Sequence, residues 1–153
     1  MRIRTIAAIA ITFLAGTTLA FADGATTKDD AVAMVKKAVA LIKAEGTEKA
    51  YAAINAPGNK FVDRDVYTVV QGFDGTTLAH AVNPKLIGKN MIEQQDVDGK
   101  FFAKDMAENG QKHASFWYDF KFTNPANKKV QVKDMYCETV APTTVCAGVY
   151  RPE

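Results

Sequence analysis

The chain has 153 residues, of which 48% are hydrophobic and 24% charged, and its formal net charge is +2. That length suits one domain with one core. A nearly balanced charge, without a stripe of Lys and Arg interleaved with aromatic residues, argues against a nucleic-acid partner.

The first 22 residues are typical of a secretory signal peptide. Arginines at positions 2 and 4 precede a short apolar run, and the small residues Ala20 and Ala22 place the cut before Asp23. The run is shorter than the ~20 residues that span a bilayer, so an uncleaved anchor is the less favoured alternative. Removing the two arginines leaves 17 of the 19 basic residues against 17 acidic ones. We therefore expect a periplasmic domain of residues 23–153 with no formal net charge, its signal peptide cleaved near Ala22.

Two helices are predicted next. Thr27, with Asp30 three residues later, is typical of a capping box, and Gly46 predicts the end of the first helix. Thr47 is predicted to cap a shorter helix, which ends in the sequence APGN.

The first helix has an apolar arc that covers about half of its circumference. Its members are Val32, Met34, Val35, Val39, Leu41 and Ile42. This arc favours burial against a sheet, or partly against a second subunit. We therefore expect a weak homodimer through residues near Val32, Val39 and Lys43.

From Asp65 the periodicity changes, and the sequence DVYTVVQGFDGTTLAHAV predicts two strands joined by a turn at Asp74-Gly75. Simple alternation puts Leu78 and His80 on one face of the second strand. Pro84 cannot donate to a ladder, so the chain is expected to turn across the sheet before it.

Residues 84–109 predict short turns and one helix. The sequence KFFAKDMAENG supplies that helix, which is predicted to end at Gly110. Its inward-facing residues are Phe101, Phe102 and Met106. Asp96 and Asp98 lack the spacing of an EF-hand loop and are predicted to cap this helix rather than to bind a metal.

Three strands are predicted to complete the chain. The sequence ASFWYDFKF alternates as a half-buried strand does. Residues 130–150 predict a hairpin that turns at Ala141 and Pro142. Symmetric pairing about that turn puts Cys137 opposite Cys146, with the two Cα atoms ~4.5 to 5.5 Å apart and within disulfide reach. In an oxidising compartment a structural disulfide is favoured over a reactive thiol pair.

The predicted order is helix, helix, two strands, an irregular helical crossover and three strands. The segments GFDGTTLAHAVNPKLIGKNMIEQQDVDGKFFAKDM, FWYDFKFTNP and KDMYCETV, with the final VCAGVY, resemble the single Cache domains of bacterial extracytoplasmic sensors. The resemblance spans roughly Thr27 to Tyr150. It implies an α+β, PAS-like fold with a long N-terminal helix on a five-stranded antiparallel sheet. The crossover would roof the other face, where such domains bind a small ligand, often a short carboxylate.

The resemblance also implies two site residues. Lys133 and Tyr136, in the sequence KDMY, resemble a Lys-x-x-Tyr stretch of the family, and a lysine under an aromatic roof would pair with a carboxylate. An edge-strand lysine in water is the alternative. Alternation puts Lys133 and Tyr136 on opposite faces unless a bulge intervenes.

Further candidates come from the residues themselves. His80 is predicted to donate a hydrogen bond to a ligand carboxylate, and a packed or solvated histidine at a strand end is the alternative. Tyr67, Tyr118 and Phe120 are predicted to form pocket walls, and an ordinary aromatic core is the alternative. Trp117 alternates onto the other face.

The sequence favours binding over catalysis. It contains no Gly-x-Ser-x-Gly elbow, phosphate loop or His-Glu-x-x-His motif, and no cofactor site is predicted. His80 and His113 lack a nearby acidic or thiol partner, so no metal site is predicted either.

The chain stops at Glu153, so we expect a stand-alone sensory domain that acts with a separate membrane receptor or kinase. The alternative is an envelope adaptor or structural partner with a vestigial pocket. Polar groups that converge on one cavity, from His80, Lys133 and Tyr118, would favour binding. A filled apolar interior would favour the adaptor.

Overall fold

The computed structural model describes residues 24–152, so the predicted signal peptide and its cleavage site lie outside the described residues. The elements in chain order are α1 (Lys28–Glu45), α2 (Thr47–Asn55), β1 (Val62–Asp63), β2 (Val66–Tyr67), β3 (Val69–Gly72), β4 (Thr77–His80), α3 (Phe102–Lys112), β5 (Ser115–Thr123), β6 (Val130–Val140) and β7 (Thr143–Tyr150). Strands β4, β3, β7, β6 and β5 form, in that order, one antiparallel sheet, and β1 pairs with β2. This architecture confirms the predicted α+β fold. Within the described residues, every helix is too short or too polar to cross a bilayer.

Helix α1 begins and ends where the sequence predicts. The Thr27 hydroxyl accepts from the Asp30 amide at 3.3 Å, and the Asp30 carboxylate accepts from the Thr27 amide at 2.8 Å, which completes the capping box. Gly46 ends the helix with φ +83°, a conformation that favours glycine. The Gly46 carbonyl already accepts from the Ala50 amide of α2 at 3.1 Å. Gly46 is therefore the cap of α2, and the prediction that Thr47 caps it is wrong by one residue.

The apolar arc of α1 packs against one face of the sheet. The resulting core includes Met34, Val35, Val39, Ile42, Ile54, Val70, Val145 and Val149. The sheet leaves Val39 only 5% exposed, so a homodimer contact through Val39 is wrong. A weak homodimer through the neighbourhood of Val32 and Lys43 stays a prediction.

Strands β6 and β7 pair in the predicted register. Cys137 lies opposite Cys146, their Cα atoms are 4.1 Å apart, and the two residues form a disulfide. Both cysteines are fully buried. The disulfide prediction is therefore confirmed.

We expect reduction of the Cys137–Cys146 disulfide to lower the melting temperature. The cysteines are 9 residues apart in sequence, and closing so short a loop stabilises the fold by ~2 to 3 kcal/mol, or roughly 10 °C in Tm. Calorimetry with and without reductant measures the shift. The double variant Cys137→Ala/Cys146→Ala is the control and should not respond to reductant. Two titratable thiols in natively exported protein would contradict the expectation.

Strands β3 and β4 pair around the predicted turn, but with a bulge. The register shifts between Val70 and Gln71 and leaves Leu78 as the extra residue of β4. Leu78 packs toward the α1 core, whereas Thr77 and His80 both face the other side of the sheet. The predicted common face of Leu78 and His80 is therefore wrong, because the alternation restarts at the bulge.

Helix α3 covers the side of the sheet opposite α1 and continues past its predicted end. Gly110 lies inside the helix, which ends at Lys112. A Cβ atom on Gly110 would come within 2.2 Å of the Thr144 Cγ2 atom on β7. The glycine therefore permits close packing of helix on sheet, and the prediction that it ends the helix is wrong.

Asp96 and Asp98 do not cap α3. The cap position is Phe101, which makes no side-chain capping bond. The Asp96 carboxylate instead accepts from the amides of Asp98, Lys100 and Lys121, at 2.9, 3.0 and 2.9 Å. Because Lys121 belongs to β5, Asp96 ties the turn before α3 to the edge of the sheet.

Candidate ligand-binding cavity

A cavity of about 40 Å³ lies between the sheet and α3. A single water molecule needs ~10 to 15 Å³ on such a measure, so the space is several times larger. The lining residues are Tyr67, Val69, Gln71, Thr77, His80, Leu86, Met91, Phe102, Met106, Phe120, Phe122, Lys133 and Met135. The wall is therefore mostly apolar, with a few polar groups from neighbouring strands.

Lys133 supplies the positive charge of the cavity. Its side chain is 1% exposed, and its Nζ atom lies 3.6 Å from the ring centre of Tyr67 and 4.9 Å from that of Tyr150. Among residues 24–152, no Asp or Glu forms a salt bridge with it. Burial lowers the pKa of Lys133, because the charged form is desolvated, and Tyr67 and the charge of Asp65 offset only part of that effect.

His80 faces the same cavity as a neutral donor. Its Nδ1 atom accepts hydrogen bonds from the amides of Asn83 at 3.1 Å and Val82 at 3.4 Å, so the single proton of the neutral ring is on Nε2. Burial, and then the charge of Lys133, lower the pKa of His80 from 6.5 to about 4. His80 is therefore uncharged at neutral pH, and its Nε2–H group has no partner among the described residues.

The corner after β4 explains why a histidine, an asparagine and a proline lie together in sequence. The Asn83 side chain accepts from the Lys85 amide at 3.2 Å and starts a 3-10 turn at Pro84–Leu86. That turn bends the backbone so that the Asn83 amide points at His80. The corner thus fixes both the orientation and the tautomer of the histidine.

Tyr67 contacts both His80 and Tyr150. Its ring stacks on His80 with centres 5.2 Å apart. Its hydroxyl lies 3.0 Å from that of Tyr150, which itself donates to the Thr123 carbonyl at 3.1 Å. Tyr67 is therefore the donor to Tyr150, and burial raises the pKa of Tyr150. The sequence analysis missed Tyr150 as a support of the site.

Four of the six predicted ligand-binding residues line the cavity: Tyr67, His80, Phe120 and Lys133. Tyr136 does not, because β6 runs from Lys133 to Tyr136 without a bulge and the two side chains lie on opposite faces. The Tyr136 ring packs on the α1 core, and its hydroxyl donates to Glu138 at 3.0 Å. The prediction that Tyr136 lines the cavity is wrong.

Tyr118 has the predicted face but not the predicted role. It stacks on Phe120, with ring centres 5.5 Å apart, and lies beyond the cavity wall. Its hydroxyl is buried and has no hydrogen-bond partner in the part of the chain that the structure describes. Burial, and then the charge of Asp105, raise the pKa of Tyr118. The prediction that it lines the cavity is therefore wrong.

We expect Tyr118→Phe to stabilise the fold and to leave ligand affinity unchanged. An unpaired buried hydroxyl costs ~1 to 3 kcal/mol, and the substitution removes it while it keeps the ring. Urea denaturation measures the change in the free energy of unfolding. Tyr150→Phe is the matched control, because it removes a hydroxyl that is hydrogen-bonded, and it should destabilise. Equal destabilisation by both substitutions would contradict this account.

The sequence analysis missed two polar cavity residues, Gln71 and Thr77. The Gln71 side chain is 3% exposed, and its amide donates to the Ala103 carbonyl of α3 at 2.7 Å. The sequence did contain a signal for Gln71, because it is a glutamine in an otherwise apolar strand and alternation puts it on the same face as Val69. Thr77 reaches the cavity only because of the bulge at Leu78, which the sequence pattern does not indicate.

Comparisons with known proteins agree with this architecture. The family model described as Single Cache domain 2 matches residues 1–150. A methyl-accepting chemotaxis protein from Vibrio parahaemolyticus RIMD 2210633 is 21% identical at a TM-score of 0.69, over 80% of this chain and 87% of that one. A periplasmic sensor domain of a chemotaxis protein is 18% identical at a TM-score of 0.61, over 81% and 90% of the two chains.

A third similar structure is described as the basis for carboxylic acid recognition by a Cache chemosensory domain. It is 17% identical at a TM-score of 0.62, over 81% of this chain and 88% of that one. No curated protein matches the chain. At these identities the likeness establishes a shared fold.

Proposed function

The chain belongs to the single Cache domain family, and from that premise we propose that it is a periplasmic sensory domain whose cavity binds the carboxylate of a short organic acid. Membership of the family makes it a small-molecule-binding sensor, and the choice of a carboxylate rests on Lys133. This lysine lines the cavity, is 1% exposed, and has no salt-bridge partner among residues 24–152. A buried ammonium of this kind favours a ligand that brings the missing negative charge.

The cavity offers two donors that suit the two oxygens of a carboxylate. The Lys133 ammonium supplies a charge-assisted hydrogen bond, and the Nε2–H of His80 supplies a neutral one. Both donors border the Tyr67 ring, which limits their movement. The similar Cache domain described as recognising a carboxylic acid supports the same ligand class.

The lining disfavours amines and free amino acids. No Asp or Glu is among the described residues that line the cavity, so a ligand ammonium would lie beside Lys133 with no carboxylate in the wall to pair with it. Like charges at close range in a buried site cost several kcal/mol. A simple acid with an apolar tail fits both the charge and the wall.

A thermal-shift screen tests the proposal with matched pairs of ligands. Sodium acetate, propionate and pyruvate are compared with acetamide and propionamide, which have similar shapes but no charge. A ligand at 100 times its Kd stabilises the fold by about 2.7 kcal/mol, so the acids should raise the Tm and the amides should not. No response to any acid, or an equal response to acids and amides, would contradict the proposal.

We propose that a membrane receptor or a kinase is the partner that recognises the ligand-bound state. We also propose that the activity of the domain is binding rather than catalysis. The alternative is an envelope adaptor with a vestigial pocket. Lys133 and His80 converge on one cavity, and this convergence favours the binding function.

A further inference from the structure

Two surface clefts border the cavity, and Phe122 lines the cavity and both clefts. A cleft of about 390 Å³ shares Tyr67 and His80 with the cavity. Another, of about 160 Å³, shares Met91 and Phe102. Lys133 lies against Tyr67, so the charged end of the cavity faces the first cleft. Helix α3 contributes only apolar side chains to the lining, those of Phe102 and Met106.

Helix α3 is held against the sheet on both sides of Met106. On one side, the side-chain amide of Gln71 donates to the Ala103 carbonyl at 2.7 Å. On the other side, Gly110 lies so close to Thr144 that a Cβ atom would come within 2.2 Å of it. Met106 shares the inward face of the helix with these two tethered positions and is 3% exposed. The distance between α3 and the sheet is thus fixed where the Met106 side chain enters the cavity wall.

We propose that Met106 determines the chain length of the ligand, with the carboxylate at Lys133 and His80 and the apolar tail directed toward α3. This inference rests on the proposed function and specifies its ligand as a short, unbranched monocarboxylate. Shortening the Met106 side chain removes Cγ, Sδ and Cε. Because α3 is tethered at both sides, the space is left open and not closed by collapse of the helix. A longer ligand tail can then occupy it.

Isothermal titration calorimetry with the straight-chain acids from acetate to hexanoate tests the inference. The wild type should bind the shortest acids best, and Met106→Ala should shift the optimum toward longer chains by about two carbons. Each buried methylene contributes about fourfold in affinity. The preference for the longer acids over acetate should therefore rise tenfold or more.

Met34→Ala is the matched control. Met34 is a buried methionine of α1, 8% exposed, and belongs to the core on the opposite face of the sheet. Its truncation should leave the optimum chain length at the wild-type value. If Met106→Ala does not fold, Met106→Val also shortens this side chain, and its optimum chain length is measured by the same titrations.

The outcomes separate this inference from the proposed function. If binding depends on Lys133 but the optimum chain length of the acid is the same in the wild type and in Met106→Ala, the inference alone is overturned. A similar shift in Met34→Ala overturns it too, because the effect would then be general loosening of the fold. If no acid binds the wild type, the proposed function and the inference fail together.

Discussion

The substitution Lys133→Met should lower the affinity for a short carboxylate by tenfold or more and, without ligand, raise the free energy of unfolding. Methionine keeps the length of the side chain but removes the charge. A hydrogen bond to a charged group contributes ~1.5 to 3 kcal/mol, and a decade of affinity is ~1.4 kcal/mol. The burial that lowers the pKa of Lys133 also disfavours its charged form in the fold, so removing the charge relieves that cost.

Calorimetry with the acid that the screen identifies measures the affinity, and urea denaturation measures the stability. Lys121→Met is the control, because Lys121 is a partly exposed lysine of β5 that pairs with Asp98 at 3.0 Å outside the cavity. It should change neither quantity by much. If Lys133→Met binds the acid as the wild type does, charge pairing is wrong, and His80 is the next anchor to test.

This opposite movement of affinity and stability distinguishes a binding residue from a structural one. A lysine that only supported the fold would destabilise it when replaced. Lys133→Ala is a second form of the test, which also opens space beside Tyr67. It should lose affinity to the same extent, while the cavity it leaves reduces the gain in stability.

Local signals predicted the parts of the fold that depend on neighbouring residues in sequence. The Thr27/Asp30 capping box and the glycine at position 46 set the two ends of α1, because capping depends on residues within one helical turn. The pairing of Cys137 with Cys146 followed from the symmetry of a hairpin. These features need no knowledge of distant contacts.

The errors occur where distant contacts decide the outcome. Gly110 is a residue type that commonly ends helices, but its role here depends on Thr144 of β7, which packs against it. The bulge at Leu78 has no signal in the alternation of β4, yet it brings Thr77 and His80 to one face. A sequence pattern reports periodicity, whereas a bulge is a break in that periodicity.

The candidate site was predicted in part for the same reason. His80 was predicted from its residue type at the end of the apolar strand TLAH, and Lys133 from the family resemblance of KDMY. Tyr136 was included on a family resemblance although alternation put it on the other face, and alternation proved correct. Met106 was recognised as an inward residue of a helix, but its position in the cavity depends on how α3 is tethered to the sheet.

Acidification from pH 6.5 to pH 4 should destabilise the ligand-free protein by ~3 kcal/mol through His80 alone. The folded state lowers the pKa of His80 from 6.5 to about 4, and each unit is worth about 1.4 kcal/mol. Between these values the unfolded chain binds more protons than the folded one, so stability rises with pH. The contribution is fully present above pH 6.5 and is lost as the pH falls toward 4.

The groups that face His80 explain the direction of this effect. Lys133 of β6 repels a second positive charge, and Tyr67 of β2 stacks on the ring without offering a carboxylate. The Nδ1 atom already accepts from the Asn83 amide at 3.1 Å, so protonation there breaks that bond. Each of these contacts favours the neutral ring.

Urea denaturation at intervals between pH 7 and pH 4, on the wild type and on His80→Asn, measures the contribution. Asparagine retains a side-chain acceptor near the Asn83 amide but does not titrate, so the variant should lose the steep dependence between pH 6.5 and pH 4. Carboxylates with a lowered pKa, such as Asp96 and Asp134, affect both proteins alike, and mainly below their ordinary value of 3.8. The difference between the two curves therefore isolates His80. Parallel curves would show that His80 is charged or solvated in the fold, and it could not then serve as a neutral donor in the cavity.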